Sequence, residues 1–489
     1  MKISNIRLIN EDYEINDKKA LHYYDTFQDL ITNAENLEIG KPYQTLGFYE
    51  KKDGGEGLYI ITDTENSSIL QLEIATGIYA NLVYNDKISI QAIGAKCNGV
   101  DDDSSYIKKA FNYGTPQFPN RKHIVINDTV ICRGSQKIVD FNMCFLTTTN
   151  NSLMFQVNPL NATSALQNVA FKNAFVRLGQ GGQFIKFHDC YFTELYNIRV
   201  QGLINNNVAI EYDNGFNHFA KSINIIATSQ NETNVSGNHT TGILIKNQNS
   251  SIDQTYANMT NCTIQDTIFQ HCEFGIKFES TVNVPWDTTK IMNIGSSYCD
   301  YTIYTYTKVN STQVNNYAID IDTIRAEFCG CAIYNNAFLS LGNIFCYHTR
   351  KPIYNEGQLC LYNNAHFVGL QGDSLIDTNT GILDFSGVKS LIRSNYVYGD
   401  ITGRIIPSTY TTVQNVNNPS FDRLRTTVIP ITQNFDFSRL NFLEGNGNVV
   451  IITGSGTIYN LPDSIPNIVL ENNKAVKFVN RNGTLEIYN

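Results

Sequence analysis

Charge is scarce in this chain, long apolar runs are missing, and there is one tryptophan. Asp, Glu, Lys and Arg make up only 17% of the 489 residues, against roughly a quarter in an ordinary globular protein. Solubility therefore rests on uncharged polar groups such as Asn, Ser, Thr and Tyr, spread over a β-rich surface. The 36 basic residues are outnumbered by 45 acidic ones, and no Lys/Arg run supplies a local basic patch. A net charge of −9 disfavours nucleic acid and anionic membranes as partners. No stretch reaches the ~18 apolar residues that a membrane-spanning helix needs. Met1 to Asp12 alternates in polarity and meets acid too early to form the apolar centre of a signal peptide. Assembly in a cytoplasm is expected, with any later life outside the cell following lysis. The 11 cysteines are odd in number and scattered, which reads as buried free thiols from a reducing compartment and not as a disulfide framework. Cys329-Gly330-Cys331 is the one close pair, and no further ligands stand at metal-binding spacing beside it. No loop carries a calcium-ligand pattern, and no cofactor is expected.

A chain this long exceeds the roughly 250 to 300 residues one core can serve, so two or three domains are expected. Leu21, Tyr24, Phe27, Leu30 and Ile31 recur at helical spacing and predict a helix over residues 13 to about 40, ended by Gly40-Lys41-Pro42. Tyr43–Tyr49 and Leu58–Thr62 flank a Gly-rich turn and read as a hairpin; Ile69–Ile74 and Tyr79–Tyr84 read as a second pair across Thr76-Gly77. A strand, a Gly turn and an acidic helix start follow from Ile88 to Phe111. There Asp102 or Asp103 is placed to accept from first-turn amides, and Ile107, Ala110 and Phe111 form the buried stripe.

Beyond residue 120 helical periodicity disappears and short strands alternate with Asn, Gly and Asp. Asp266-Thr267-Ile268 recurs as Asp322-Thr323-Ile324, and the register extends to Asn343-Ile344 and Phe367 as single coils. The longer step from Ile268 to Ile324 is assigned an excursion at residues 280 to 316. Asn335-Asn336 and Asn363-Asn364 fall at corners, where Asn tolerates left-handed backbone and can bond to its neighbour along a stack. The fold class is mostly β, a parallel β-helix. After Tyr398 the pattern weakens at Pro407, Pro419 and Pro430, and a separate β-rich piece takes over. The expected boundaries are 1–88 for a small mixed N-terminal module, 89–400 for the β-helix and 401–489 for the C-terminal domain.

Two stretches carry a family resemblance. Ile93-Gly94-Ala95-Lys96-Cys97-Asn98-Gly99-Val100-Asp101-Asp102-Asp103-Ser104 resembles the signature that opens the pectate-lyase-like, right-handed β-helix of bacteriophage tailspike and appendage proteins, departing from it at Ile93, Cys97 and Asn98. Gly40–Tyr49 with Asp53–Tyr59 resembles the module that precedes that β-helix in phage tail fibres and spikes. The resemblance implies a homotrimeric virion protein that binds, and often cleaves, a bacterial surface polysaccharide, and that meets phage tail or baseplate proteins through its N-terminal module. It carries over no active-site residue.

Candidate site residues come from strand alternation. With Ile268, Cys272, Phe274, Ile324 and Phe328 inward, His271, Glu273, Arg325 and Glu327 face out, and the register places His271 level with Glu327. Asp320, Asp322 and Asp266 stand beside them. Paired carboxylates suit glycoside hydrolysis, and an Arg can hold an acidic sugar or phosphate oxygen; outward acids on a solvated sheet are equally ordinary surface. Trp286, Tyr298, Tyr301 and Tyr304, in the excursion with Asp287 and Asp300, suit sugar binding because sugar C–H faces pack on aromatic rings, and equally suit a subunit interface. His188, His218, His348 and His366 read as isolated, and Asp213 and Asp253 as loop acids. Cleavage of a surface glycan by hydrolysis or elimination is the leading expectation, with a binding-only spike of the same shape as the alternative.

Overall fold

The computed structural model describes residues 6–8, 11–13, 21–132, 137–158, 166–179, 181–204, 206–228, 239–247, 261–280, 288–307, 318–368, 376–378, 382–384, 390–393, 398–401, 404–406, 412–414, 426–431, 434–437, 449–461, 465–481 and 484–488. Among them no helix is long and apolar enough to cross a membrane. The chain divides into two compact units, residues 1–186 with 193–199, and residues 187–192 with 200–489.

The first unit opens with a five-stranded sheet ordered His22–Tyr24, Pro42–Thr45, Gly57–Thr62, Ile78–Leu82 and Gln71–Ala75. Both expected strand pairs are antiparallel neighbours in it. The helix expected from residue 13 is much shorter, Phe27–Thr32. Thr26 and Asp29 form a reciprocal capping box that starts it there, and His22–Tyr24 is drawn into the sheet beside Tyr43–Thr45. The Gly-rich turn is organised by Asp53, whose carboxylate accepts backbone N–H groups from Phe48, Tyr49, Glu50 and Gly55 at 2.7–3.2 Å. Burial alone would raise its pKa, but these four donors outweigh it and hold the carboxyl below its ordinary range.

The β-helix begins with strand Asn98–Asp102 and the capping helix Ser104–Tyr113, whose Ile107, Ala110 and Phe111 are buried as expected. Asp102 accepts from the Ser104 N–H at 3.0 Å. Asp103 instead turns back, fully buried, and accepts from Lys96 N and Cys97 N after the left-handed Gly94. Strands Lys137–Thr147 and Leu166–Arg177 then stack in parallel, and a polar corner runs from Asn197 through Asn173 to Asp140 at 2.9 and 3.0 Å.

In the second unit the coils run through two parallel stacks. Thr263–Gln270, Thr289–Ser297, Ala318–Glu327, Phe338–Tyr347 and Gln358–Val368 form one; Thr241–Asn247, Phe274–Ser280, Tyr301–Thr307, Cys331–Asn335 and Lys351–Asn355 form the other. Buried aliphatic columns fill the interior: Ile264, Ile291, Ile321, Leu341 and Leu361 under the first stack, Ile243, Ile276, Ile303, Ile333 and Ile353 under the second. Asn335 bonds to Asn355 at 2.7 Å and Asn364 to Asn343 at 2.8 Å, so the corner asparagines do form ladders.

The excursion at residues 280–316 contains a complete coil, Thr289–Ser297 and Tyr301–Thr307, and this shifts the register by one residue. Glu327 lies level with Ser297, and Ser297 with Gln270, not His271. Ile268 is 46% exposed where an inward position was expected, and Phe328 is exposed too. The cause is local. Asp266 and Asn293 adopt left-handed backbone and insert an extra residue into the alternation, so Ile264, Thr267 and Phe269 point in while Ile268 points out. At the C-terminus, Thr426–Ile431, Val449–Tyr459, Ile468–Arg481 and Thr484–Tyr488 form a mixed sheet with Phe435–Asp436, over buried Phe437, Ile452, Ile458, Val476 and Phe478.

Candidate functional site

Four coils turn from the first stack to the second through the same three positions: His271-Cys272-Glu273, Tyr298-Cys299-Asp300, Phe328-Cys329-Gly330 and His348-Thr349-Arg350. Backbone bonds from Tyr301 N to Glu273 O, Cys331 N to Asp300 O and Lys351 N to Gly330 O lock the turns above one another at 2.6–2.8 Å. The first position is left-handed in all four coils, and its rings stack at 5.2, 5.2 and 4.9 Å. The second position fills the buried corner; the thiols of Cys299 and Cys329 are raised well above their ordinary pKa by burial, which makes them inert core.

The third position makes a polar column of Glu273, Asp300, Gly330 and Arg350. Glycine leaves room for the Arg350 guanidinium to reach across its coil, with Nη2 3.1 Å from Asp300 Oδ1. Asp300's side chain is 12% exposed and that of Arg350 62%. Glu273, 8% exposed, accepts from the His239 backbone N–H, lies 3.4 Å from His239 Nδ1, and donates its own N–H to Thr240 Oγ1 at 3.0 Å.

Beside this column the outer face of the second stack is aromatic. Phe274 stacks on Tyr301 at 5.4 Å, and Tyr304, Tyr334 and Tyr354 stack in order at 4.6 and 4.8 Å. Tyr334 and Tyr354 both donate to Glu356, at 3.2 and 3.0 Å. Asp300, Tyr301, Gly330, Cys331, Tyr334, Arg350, Lys351 and Tyr354 line an open cavity of about 360 Å³. The Tyr301 phenol is pushed up to about 12 by burial first and then by the charges of nearby groups including Asp300 and Glu273. Tyr334 is raised by burial and by Glu356. These phenols stay neutral hydrogen-bond donors at physiological pH.

Of the residues expected from sequence, Glu273, Tyr301 and Tyr304 belong to this column and face, and Asp300 lines the cavity. Glu273 occupies the turn and is buried, not turned outward by strand alternation. His271 and Tyr298 belong to the ring column. Asp266 accepts from Asn293 Nδ2 at 2.8 Å as part of a polar corner; Asp322 accepts from Thr323 at 3.2 Å; Arg325 and Glu327 lie on the first stack, level with Phe345 and Tyr347. Trp286, Asp287 and Asp253 lie outside the described residues. Asp213 sits in strand Val208–Ala227, and its Oδ2 is 3.0 Å from Nδ1 of His188, whose Nε2 is 3.3 Å from Asp189. His188 is therefore not isolated. His218 is core, with its pKa lowered to about 4 by burial.

Sequence reading missed Arg350 and Gly330. The signal was present as a ring, then Cys or Thr, three further residues and Ile: His271 to Ile276, Tyr298 to Ile303, Phe328 to Ile333, His348 to Ile353. Aligning those four segments puts Glu273, Asp300, Gly330 and Arg350 in one column.

No protein-family model matches the chain, and no curated protein matches it in sequence. Among solved structures it is similar to the gp42 tailspike of Acinetobacter phage vb_AbaP_AS12, with TM-score 0.46, 10% identity, and coverage of 94% of this chain and 86% of that one. It is similar to PfbA, a surface adhesin of Streptococcus pneumoniae, with TM-score 0.45, 9% identity and coverage of 82% and 98%. It is also similar to the gp49 tailspike of Acinetobacter baumannii bacteriophage Fri1, a capsular polysaccharide depolymerase, with TM-score 0.44, 10% identity and coverage of 96% and 91%.

Proposed function

We propose that the chain is a tailspike-like protein of a phage virion that binds a bacterial surface polysaccharide through the tyrosine face and cleaves it at the Glu273–Asp300 column. The observation that carries this reading is a carboxylate pair on neighbouring coils beside a tyrosine-lined cavity. Neighbouring strands lie ~4.8 Å apart, close to the ~5–5.5 Å carboxyl separation of retaining glycoside hydrolysis. Tyr304, Tyr334 and Tyr354 offer ring surface to sugar C–H faces. Arg350 orients Asp300 and balances its charge, leaving Asp300 as the cavity-facing nucleophile or base and Glu273 as its acid partner.

The test is incubation with host capsular or cell-wall polymer, followed by product analysis. A new reducing end marks a glycosidase, an unsaturated sugar end a lyase, and a phosphorylated polyol fragment a teichoic-acid phosphodiesterase. Glu273→Gln and Asp300→Asn are expected to cut turnover by ~100-fold or more with polymer binding retained; full activity in both variants removes the pair from the chemistry. A binding-only spike is the second reading, favoured by the protein partners that Glu273 and Asp300 already have. Polymer that is retained but never shortened selects it.

The proposed setting is a homotrimer, with residues 1–88 joining the particle, 89–400 carrying the glycan site and 401–489 a separate C-terminal domain. Removal of residues 1–88 is expected to spare glycan binding while abolishing incorporation into virions. Light scattering that returns a monomer at micromolar concentration refutes the trimer.

A further inference from the structure

We infer that the cavity selects a negatively charged sugar unit, one whose carboxylate or phosphate oxygens are held by Arg350 and Lys351; this rests on the glycan reading above. Among the described lining residues Asp300 is the single acid, and Arg350 already engages its Oδ1. With it stand two cations, Arg350 and Lys351, the latter 5.3 Å above the Tyr354 ring. A guanidinium carries five N–H donors in a fixed fork. Among the described residues only Asp300 accepts from the Arg350 side chain, through Nη2, while 62% of that side chain is open to solvent. Glu356, outside the lining, accepts from the hydroxyls of Tyr334 and Tyr354.

The lining thus carries two cations against one carboxylate, and that carboxylate is paired with Arg350. A neutral sugar, whose hydroxyls each donate one hydrogen bond and accept up to two, brings no charge to match those cations. An oxyanion finds the solvent-facing side of the Arg350 fork with the Lys351 charge beside it, and charge-assisted bonds of this kind are roughly twice as strong as neutral ones. The volume of about 360 Å³ lies at the small end of ligand cavities, roughly 300–1,000 Å³. That suits one sugar ring with its acidic substituent while the chain continues along the tyrosine face.

The experiment measures binding of three defined oligosaccharides to the full chain: a hyaluronan hexasaccharide bearing carboxylates, a glycerol-phosphate oligomer bearing phosphates, and neutral maltohexaose. One acidic probe is expected to bind roughly tenfold or more tighter than maltohexaose at low salt, and which one identifies the anion. The preference should shrink as salt screens it. Arg350→Gln should erase the preference, read as the ratio of acidic-probe to maltohexaose affinity in the same variant. Lys351→Gln, which keeps the Asp300–Arg350 pair, should reduce it by several-fold. Equal binding of acidic and neutral probes, or a preference that survives Arg350→Gln, overturns the inference. If Tyr334→Ala and Tyr354→Ala weaken all probes alike while charge has no effect, the glycan reading stands and this inference alone falls. If no probe binds, or none responds to the tyrosine variants, both fall.

Discussion

Gly330→Ala is the sharpest test of the polar column, because the structure says what one methyl group would meet. A Cβ at Gly330 would lie 2.3 Å from Asp300 Oδ1, 2.7 Å from the Asp300 carbonyl oxygen and 2.9 Å from Arg350 Nη2. The carboxylate can rotate away, but the carbonyl cannot, because it accepts the ladder bond from Cys331 N at 2.6 Å. The coil must shift or the ion pair must open. Overpacking of this kind costs about 1–3 kcal/mol, and an ion pair with an exposed partner adds about 0.2–1 kcal/mol, so a loss of about 2–3 kcal/mol is expected from urea unfolding midpoints. Gly295→Ala is the control: its nearest contact is Ile268 Cγ1 at 3.7 Å, an ordinary separation, and its effect should stay within about 0.5 kcal/mol. In an Arg350→Gln background the guanidinium part of the clash is gone, so Gly330→Ala should cost less, a coupling that a double-mutant cycle reads directly. Equal effects of the two glycine variants, or full additivity with Arg350→Gln, would refute the reasoning.

Asp53→Ala leaves four backbone N–H groups of the Gly-rich turn without their acceptor. It is expected to destabilise the N-terminal module by about 2–4 kcal/mol, since bonds to charged groups are worth about 1.5–3 kcal/mol each and water recovers part of them. Because the folded pKa of Asp53 is depressed, its contribution is present above the unfolded carboxyl value and lost as pH falls through the folded one; hydrogen exchange of the module at pH 7 and pH 3 checks both points. Asp103 has the opposite sign. Burial raises it to about 6, so the ionised form burdens the fold above that pH and stability from this group increases as pH falls from 7 toward 4. Asp103→Asn should flatten that part of the profile, and an unchanged slope of unfolding midpoint against pH counts against it. Asn335→Ala strips a fully buried side chain that bonds Asn355, Ala337, Gln358 and Thr305. A loss of about 3–4 kcal/mol follows from leaving several of those groups unpaired, and a calorimetric midpoint close to wild type would show that water replaces the ladder.

Much of the fold was legible because its physical causes are local. Asparagine at corners, short apolar zigzags and a glycine turn before an acidic helix start each bias the backbone where they stand, and their order along the chain points to stacked coils. Register is a different kind of information. A parallel ladder bonds every residue of a strand equally well in neighbouring registers; what decides among them is which side chains go inside, and a slip of one residue reverses every face. Counting from Ile268 to Ile324 treated the strand as strictly alternating. The left-handed Asp266 and Asn293 break that alternation, and the same polar residues that announce a corner conceal the phase change they cause.

The candidate site was half legible for the same reason. Glu273 and Tyr304 were each visible as an acid and an aromatic, yet their relation to each other and to Arg350 depends on three successive turns adding up without a slip. The turn itself carried the better signal, because its first position must tolerate left-handed backbone and its second must fill a buried corner. Rings and small thiol or hydroxyl side chains recur there under packing constraint, while the third position, at the edge of the turn, is free to vary. It does vary, from Glu to Asp to Gly to Arg, and that freedom is what lets one coil contribute a carboxylate, the next empty space, and the next a cation that reaches through it. In a stacked fold the conserved geometry of the corner fixes where chemistry can be placed, and the departures from its repeat are where to look for it.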